Sequence, residues 1–528
     1  MEAPFSRTLG DLIFEQAERY GARPAAIWHD QVVSYAELLR RAVCIGGSLR
    51  ELGVTRGERV GLLINNRPEW LEAFFGTQIA GGVVVAFSTW STPDELDWLL
   101  QDSAVRMLIA LDRFGDNDFT AALADRWESL RYPALRHVAL LGDNLPAGFL
   151  RYDTLLAAAP LTPPGPGVAS GASDDAIIIY TSGSSSRPKS VPLSHGGIIE
   201  NGFNIGERQG YRSDDRVLLA PPLFWSYGSA NAMSATLTHG AALVLQGRFE
   251  PGDAIDLIER HHCTALYTLP AITSAIISHP AFRPERVRSL RTGLTIGAPQ
   301  DVVAAATTLG AAEICNVYGQ TESYGNCCVT PHDWPLERRA ACQGPPLPGV
   351  EIRIVDAESG AELPCGEEGM IEVRGYITRG YIGSSANQTA DAITEDGFFR
   401  TGDMGRLLPD GSLAFSGRVT EMIKKSGINI SPAEVEDVLM RHATVALAAV
   451  VGVPDATQGE LLAAFVVPKP GATLRLEELA AHCRALASRY KVPDFIEVRD
   501  ALPVTVTGKL LRRELKQIAA TFSRDTAP

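Results

Sequence analysis

The junction between residues 175 and 189 limits the possible folds more than any other stretch of this chain. Asp175 is followed by a short apolar run, Ala176-Ile177-Ile178-Ile179-Tyr180. Its length and β-branched content predict a buried strand. The strand feeds directly into Thr181-Ser182-Gly183-Ser184-Ser185-Ser186-Arg187-Pro188-Lys189. Backbone N–H groups in such a turn form a concave nest for anionic oxygens. The hydroxyls of Thr181, Ser182, Ser184, Ser185 and Ser186 add donors, and Lys189 adds a point charge. A polyphosphate suits that set. Serine-rich stretches are more commonly flexible linkers, but a linker is not expected to leave a buried strand and close on Pro-Lys. The pattern also differs from the nucleotide loop of P-loop proteins, which needs Gly-Lys-Ser/Thr after a first glycine and four residues.

At 528 residues the chain is too long for a single core, so two or more lobes are expected. Its net charge of −14 disfavours a nucleic-acid partner. An anionic substrate would therefore have to be met by individual lysines and arginines. No apolar run approaches the ~18 residues of a membrane span. The first residues lack the basic and apolar regions of a signal peptide. Eight scattered cysteines suggest reduced thiols and a cytoplasmic setting. His261-His262-Cys263 and Cys327-Cys328 lack the paired spacing of a zinc site.

Strand and helix patterns alternate from residue 25 to residue 320, which predicts parallel, helix-covered sheets. Ser34 is expected to cap a helix from Tyr35 to Leu52, and Pro68 to Ala80 reads as a helix between two strands. From residue 351 the character becomes β-rich, with a hairpin turned at Pro409-Asp410-Gly411-Ser412. A small α+β unit follows. It opens at Ser431-Pro432-Ala433-Glu434, a capping serine with proline at the first helical position.

Several segments carry candidate site residues. Leu294-Thr295-Ile296-Gly297-Ala298-Pro299 and Asn316-Val317-Tyr318-Gly319-Gln320-Thr321-Glu322 are strands ending in small or polar turns. Ligands gather at the carboxyl ends of strands in open parallel sheets, so the ends at 180, 297 and 318 are expected to converge. Tyr318 offers a flat face, Asn316 an amide and Glu322 a carboxylate suited to magnesium. Residues 218–247 contain no Asp or Glu. Within them Trp225, Tyr227 and Gly228, together with Gly297 and Tyr324, suggest an apolar pocket, with core packing the plainer alternative. Asp403 and Arg418 either pair with each other or face a sugar. Lys509 lies in an exposed turn, where a lone lysine is ordinarily just solvated.

Taken together, these motifs resemble the adenylate-forming superfamily: acyl-CoA synthetases, adenylation domains of peptide synthetases and firefly luciferase. The match covers nearly the whole chain. The loop at 181–189 is similar to the family's Thr-Ser-Gly-Thr-Thr-Gly-x-Pro-Lys-Gly. Residues 316–322 resemble its adenine and magnesium segment, and Phe399-Arg400-Thr401-Gly402-Asp403 its Tyr-x-Thr-Gly-Asp. Gly417-Arg418 opens the hinge segment, and Pro503 to Lys509 resembles the terminal lysine motif. The resemblance implies an α/β fold with a large N-terminal domain, residues 1–419, of helix-covered mixed and parallel sheets plus a β-rich subdomain. A small mobile α+β domain, residues 420–528, would carry the catalytic lysine, with the hinge at Thr420.

It also implies roles. Thr181, Ser182, Gly183, Ser184, Ser185 and Lys189 would hold the β- and γ-phosphates of ATP. Gly297, Ala298, Asn316 and Tyr318 would hold adenine, and Asp403 and Arg418 the ribose. Thr321 would contact the α-phosphate, Glu322 would bind Mg²⁺, and Lys509 would reach the carboxylate and α-phosphate. The implied reaction joins a small carboxylic acid to ATP, releases pyrophosphate and passes the acyl group to coenzyme A. A freestanding acyl/peptidyl carrier protein is the alternative acceptor, and a non-catalytic nucleotide-binding homologue is a third reading. Serines stand at two loop positions that are glycine in the family, Ser186 and Ser190. Thr420 replaces the usual hinge Asp or Lys, Ser426-Gly427-Ile428 replaces Gly-Gly-Glu, and Trp225 stands where many members have His. The acid-free stretch disfavours an amino acid and favours an aryl, alicyclic or medium-sized acyl group.

Overall fold

A computed structural model describes residues 2–128, 131–143, 145–157, 170–181, 188–425, 428–455, 458–487, 491–504 and 510–522. The chain divides into two compact units, residues 1–352 with 373–400, and residues 353–372 with 401–528.

The first unit is built on two sheets. One has seven strands in the spatial order Lys189–Ser194, Asp175–Thr181, Val83–Ala86, Arg59–Leu63, Met107–Leu111, His137–Leu141 and Leu150–Arg151. All neighbours are parallel except the first pair, which is an antiparallel hairpin. The other has eight strands, ordered Cys328–Val329, Cys315–Tyr318, Thr292–Thr295, Ala265–Tyr267, Arg216–Leu219, Ala242–Leu245, Pro24–Trp28 and Gln31–Ser34. The central strands are buried along their whole length, which is why they read as unbroken apolar runs rather than as alternation. Helix Pro68–Ala80 is buried on nearly every face, as expected for a helix that is apolar all round. Gly76 and Gly46 allow it to lie close to helix Tyr35–Glu51, since a Cβ on Gly76 would sit 2.6 Å from the Ile45 side chain. The buried Glu72 is matched there by Arg41 at 2.7 Å and the Tyr152 hydroxyl at 2.8 Å. Ser34 caps the helix Tyr35–Glu51 by accepting the Glu37 N–H.

The second unit contains most of a four-stranded sheet, ordered Glu351–Val355, Gly369–Arg374, Phe399–Leu407 and Leu413–Arg418. It also contains a five-stranded sheet whose long hairpin is Val445–Asp455 with Gly459–Pro468. Alternation along the second arm divides two cores. Leu462, Ala464 and Val466 face helices Pro432–Met440 and Leu476–Leu486. Leu461, Ala463 and Phe465 face helix Arg512–Ala519. Ser431 stands at the expected N-cap but does not cap through its side chain. Its hydroxyl donates to the Ser416 carbonyl instead.

Candidate functional site

The hydroxyl-rich turn begins and ends within one hairpin. Thr181 and Lys189 face each other across the register, as do Tyr180 and Ser190. Ser182, Gly183, Ser184, Ser185 and Ser186 lie outside the described residues. The strand leading into the turn is anchored by the Tyr180 hydroxyl, which donates to Asp102 Oδ2 at 2.8 Å. Asp102 Oδ1 in turn accepts the Ser384 N–H at 2.9 Å. Ser190 adopts no positive φ, so serine at this family-glycine position costs no backbone strain. Its hydroxyl donates to the Ile382 carbonyl at 2.5 Å, and its N–H donates to Ser385 Oγ at 3.2 Å. Segment 382–385 is thereby held against the return strand.

The other candidate strand ends lie in a different sheet. Thr292–Thr295 and Cys315–Tyr318 are parallel neighbours in the eight-stranded sheet, whereas Asp175–Thr181 belongs to the seven-stranded one. The expected convergence is therefore not the switch point of one open sheet. Cross-links between the sheets bring the pieces together. The Tyr324 hydroxyl accepts the Ser194 N–H at 2.9 Å, and its oxygen lies 2.8 Å from Ser194 Oγ. The Thr378 N–H donates to the Glu322 carbonyl at 2.6 Å, while the Thr378 hydroxyl donates to the Pro192 carbonyl at 2.9 Å.

The acidic centre of the site is Glu322, which is buried. The Tyr381 hydroxyl donates to its Oε1 at 2.9 Å. Over the face of the same ring, the Lys189 ammonium lies 4.6 Å from the centroid, within reach of a cation–π attraction. Burial and the Glu322 charge both push the Tyr381 hydroxyl above its ordinary value, so it stays a protonated donor. Beside Glu322, the Thr321 hydroxyl lies 3.0 Å from that of Ser226. The next residue back, Trp225, packs edge-on against Trp90, with ring centroids 5.2 Å apart. Phe224 meets the same Trp90 ring at 5.2 Å. An aromatic trio thus adjoins the Thr321–Glu322 turn.

The remaining candidates fall into different surroundings. Ala298 begins helix Pro299–Thr307, and its N–H donates to Asp301 Oδ2 at 2.9 Å. Gly297 is half-buried, and a Cβ there would lie 2.7 Å from Asp301. Tyr318 is buried at the end of its strand. Asn316 is fully buried, and its carboxamide is engaged by the Cys342 carbonyl and the Val317 N–H. It braces the strand from within, and the expected exposed amide edge is not presented. Tyr227 is likewise turned inward, its hydroxyl reaching the carbonyls of Thr268 and Leu294 at 3.1 and 3.0 Å. It ties two strands together instead of lining a pocket. Gly228 is the second residue of a π-helical turn, Tyr227–Met233, and a Cβ there would lie 2.1 Å from the Pro222 carbonyl oxygen. Gly197 makes similar room for the Tyr324 ring.

In the second unit, Asp403 and Arg418 are directly opposite across a hairpin and form an ion pair at 3.4 Å. Thr420 lies in the short turn Val419–Glu421. Lys509 lies outside the described residues, but its segment is closed at the base. The Leu511 N–H donates to the Pro503 carbonyl at 2.9 Å, and Val504 bridges to Leu510.

Among the described residues no cluster of three or more His, Cys, Asp or Glu is arranged to hold a metal. A single buried carboxylate such as Glu322 fits Mg²⁺ only in the mode where substrate phosphates supply further oxygens. All eight cysteines are free, and burial pushes Cys263 and Cys315 up to about 12, so these two stay as inert thiols.

Tyr381 was not legible as a site residue, because Arg379-Gly380-Tyr381-Ile382 carries no spacing that points to chemistry. Residues 13–382 match the family model described as AMP-binding enzyme. Residues 434–509 match the model of the AMP-binding enzyme C-terminal domain. A putative acyl-CoA synthetase, YngI of Bacillus subtilis (strain 168), is 30% identical over 531 residues, covering 97% of this chain and 96% of the relative. A feruloyl-CoA synthase of Amycolatopsis sp. is 34% identical over 488 residues, covering 92% of this chain and 94% of the relative. The crystal structure of an anthranilate CoA ligase, AuaEII, with anthranoyl-AMP superposes with a TM-score of 0.87 at 26% identity, covering 99% of this chain and 100% of that one.

Proposed function

Because the chain belongs to the AMP-binding enzyme family, we propose that it is an AMP-forming acid–thiol ligase that converts a carboxylic acid to its coenzyme A thioester. In the first step a carboxylate oxygen attacks the α-phosphorus of ATP. The bond to the β-phosphate oxygen breaks, giving an acyl-adenylate and pyrophosphate. In the second step a thiolate attacks the acyl carbon, AMP leaves and the thioester forms. Two anions must approach in the first step, so fixed positive charge and positioning dominate its barrier.

The observation that carries the reading is the Lys189 ammonium over the Tyr381 ring, whose hydroxyl donates to Glu322, with Lys189 on the strand that closes the hydroxyl-rich turn. Lys189 and the loop from Thr181 to Ser185 would bind the β- and γ-phosphates. Glu322 would hold Mg²⁺ together with phosphate oxygens, lowering the repulsion between triphosphate and carboxylate. Thr321 would contact the α-phosphate. Gly297, Ala298 and Tyr318 would frame adenine, with Asn316 supporting Tyr318 from behind. Asp403 and Arg418 would take the ribose, and Lys509 would meet the reacting carboxylate. We further infer a functional division at residue 420, with residues 420–528 moving as a body about Thr420 between the two half-reactions.

For the acid, the trio Trp90, Phe224 and Trp225 supports an aryl or medium-sized acyl group. The names of the feruloyl-CoA synthase and the anthranilate CoA ligase point the same way. Eight unpaired cysteines support a cytoplasmic setting. The test is a panel of aryl, alicyclic, aliphatic and amino acids, scored by pyrophosphate release with ATP and Mg²⁺, with and without coenzyme A. Thioester formation from an aryl or medium-sized acid is expected. Release that stops at the adenylate with coenzyme A but continues with a carrier protein would favour the carrier as acceptor. No release with any acid would refute the ligase reading.

A further inference from the structure

Tyr381 occupies a position that the proposed chemistry does not by itself require. Its backbone is fixed from both sides. The Tyr381 N–H donates to Thr389 Oγ1 at 3.0 Å. The next residue, Ile382, is bridged to Ser190 on the strand carrying Lys189. Gly380 before it adopts φ +131, and a Cβ there would strike the Thr389 side chain at 2.4 Å. The ring is therefore delivered to one place, with the Lys189 ammonium over its face and Glu322 accepting from its hydroxyl. A lysine and a glutamate that both touch one side chain would ordinarily close into an ion pair, because partly buried opposite charges attract strongly. Closed, the pair would satisfy both charges at once and would have to be broken by each incoming nucleotide.

We propose that Tyr381 is a positioning residue that keeps Lys189 and Glu322 apart, its ring holding the lysine for phosphate and its hydroxyl aiming the glutamate at the nucleotide-bound cation. This rests on the ligase reading given above. The two halves of the side chain have separable effects. The hydroxyl orders Glu322 through one hydrogen bond to a charged acceptor, which is stronger than a neutral one. The ring face offers Lys189 a weaker partner than a carboxylate, one that a triphosphate displaces without leaving a buried anion behind.

The test measures ATP binding by calorimetry on the full-length protein, first in EDTA and then across a MgCl₂ titration. Tyr381→Phe keeps the ring, so metal-free ATP affinity is expected to stay within about twofold of wild type. The Mg²⁺ concentration giving half-maximal enhancement should rise about tenfold, the scale of one lost charge-assisted bond. Tyr381→Leu removes both contacts and lets Lys189 close on Glu322, so metal-free ATP affinity should itself fall about tenfold. Adding Glu322→Gln to Tyr381→Leu removes that competitor and should restore metal-free affinity while Mg²⁺ enhancement stays lost. A merely structural tyrosine would not produce that restoration. An unchanged Mg²⁺ dependence in Tyr381→Phe, or no restoration in the double variant, overturns the inference. Wild-type protein that binds no ATP overturns the ligase reading itself, and this inference with it.

Discussion

His195 gives the molecule a calculable sensitivity to acid. It opens helix His195–Arg208 and is fully buried. Its Nδ1 accepts the Leu9 N–H at 3.2 Å, so the neutral ring is what joins the first helix of the chain to this one. Burial pushes its pKa from 6.5 down to about 4, although the carboxylates of Asp174 and Asp11 oppose the shift. A cation at a helix N-terminus is also disfavoured by the helix dipole. In the unfolded chain His195 takes up a proton near pH 6.5, and in the native state only near pH 4. The unfolded state therefore binds more protons between these values. The contribution is complete above pH 6.5 and is lost as pH falls toward 4. Linkage sets its full size at about 3 kcal/mol, with about 2 kcal/mol gone by pH 5. The comparison is wild type against His195→Asn, whose carboxamide oxygen can accept the Leu9 N–H without titrating. All seven tryptophans lie between residues 28 and 334, so tryptophan fluorescence in urea follows the first unit alone. Carboxylate effects common to both proteins cancel in the difference. The stability advantage of wild type over the variant should shrink by about 2 kcal/mol from pH 8 to pH 5. A difference that is flat with pH would show that His195 is not the buried neutral group described.

Two further outcomes follow from close contacts. Gly228→Ala would place a methyl 2.1 Å from the Pro222 carbonyl oxygen, where both partners are backbone, so an overpacking cost of about 1–3 kcal/mol is expected, read as a lower midpoint in thermal unfolding of the first unit. Arg512→Leu would leave Glu436 buried without the guanidinium that now meets both its oxygens at 2.6 and 3.0 Å. Breaking such a pair from one side costs about 3–5 kcal/mol, and hydrogen exchange at Val450, whose N–H donates to Glu436, should accelerate accordingly.

Where the sequence was informative, one element decided its own conformation. Pro68–Ala80 and the apolar strands Val83–Ala86 and Met107–Leu111 are specified by composition and punctuation within a few residues. The hairpin turn at 409–412 is likewise local. What sequence reasoning missed depends on partners far along the chain. The strand at 175–181 joins a different sheet from those at 292–295 and 315–318, and nothing in any one strand records which neighbour it takes. Asn316 and Tyr227 carry polar groups that suit a ligand equally well, but each group meets a backbone carbonyl in an adjoining segment. Helix Arg512–Ala519 has the sequence RRELKQIA, and its polarity conceals the two residues, Leu515 and Ala519, that enter a core. Tyr381 acquires significance only because Lys189 arrives over its ring and Glu322 at its hydroxyl.

That amphipathic helix has a consequence for how the C-terminal region must be handled. Leu515 and Ala519 close over Ala449, Val451, Phe465 and Phe495, so trimming the chain before residue 510 would strip the cover from one side of a sheet. In sequence, Lys509 falls between the strand Phe495–Val498 and that helix. A deletion meant to remove the amine proposed to react would therefore also bare a sticky surface, and only a point replacement separates loss of the proposed chemistry from loss of solubility.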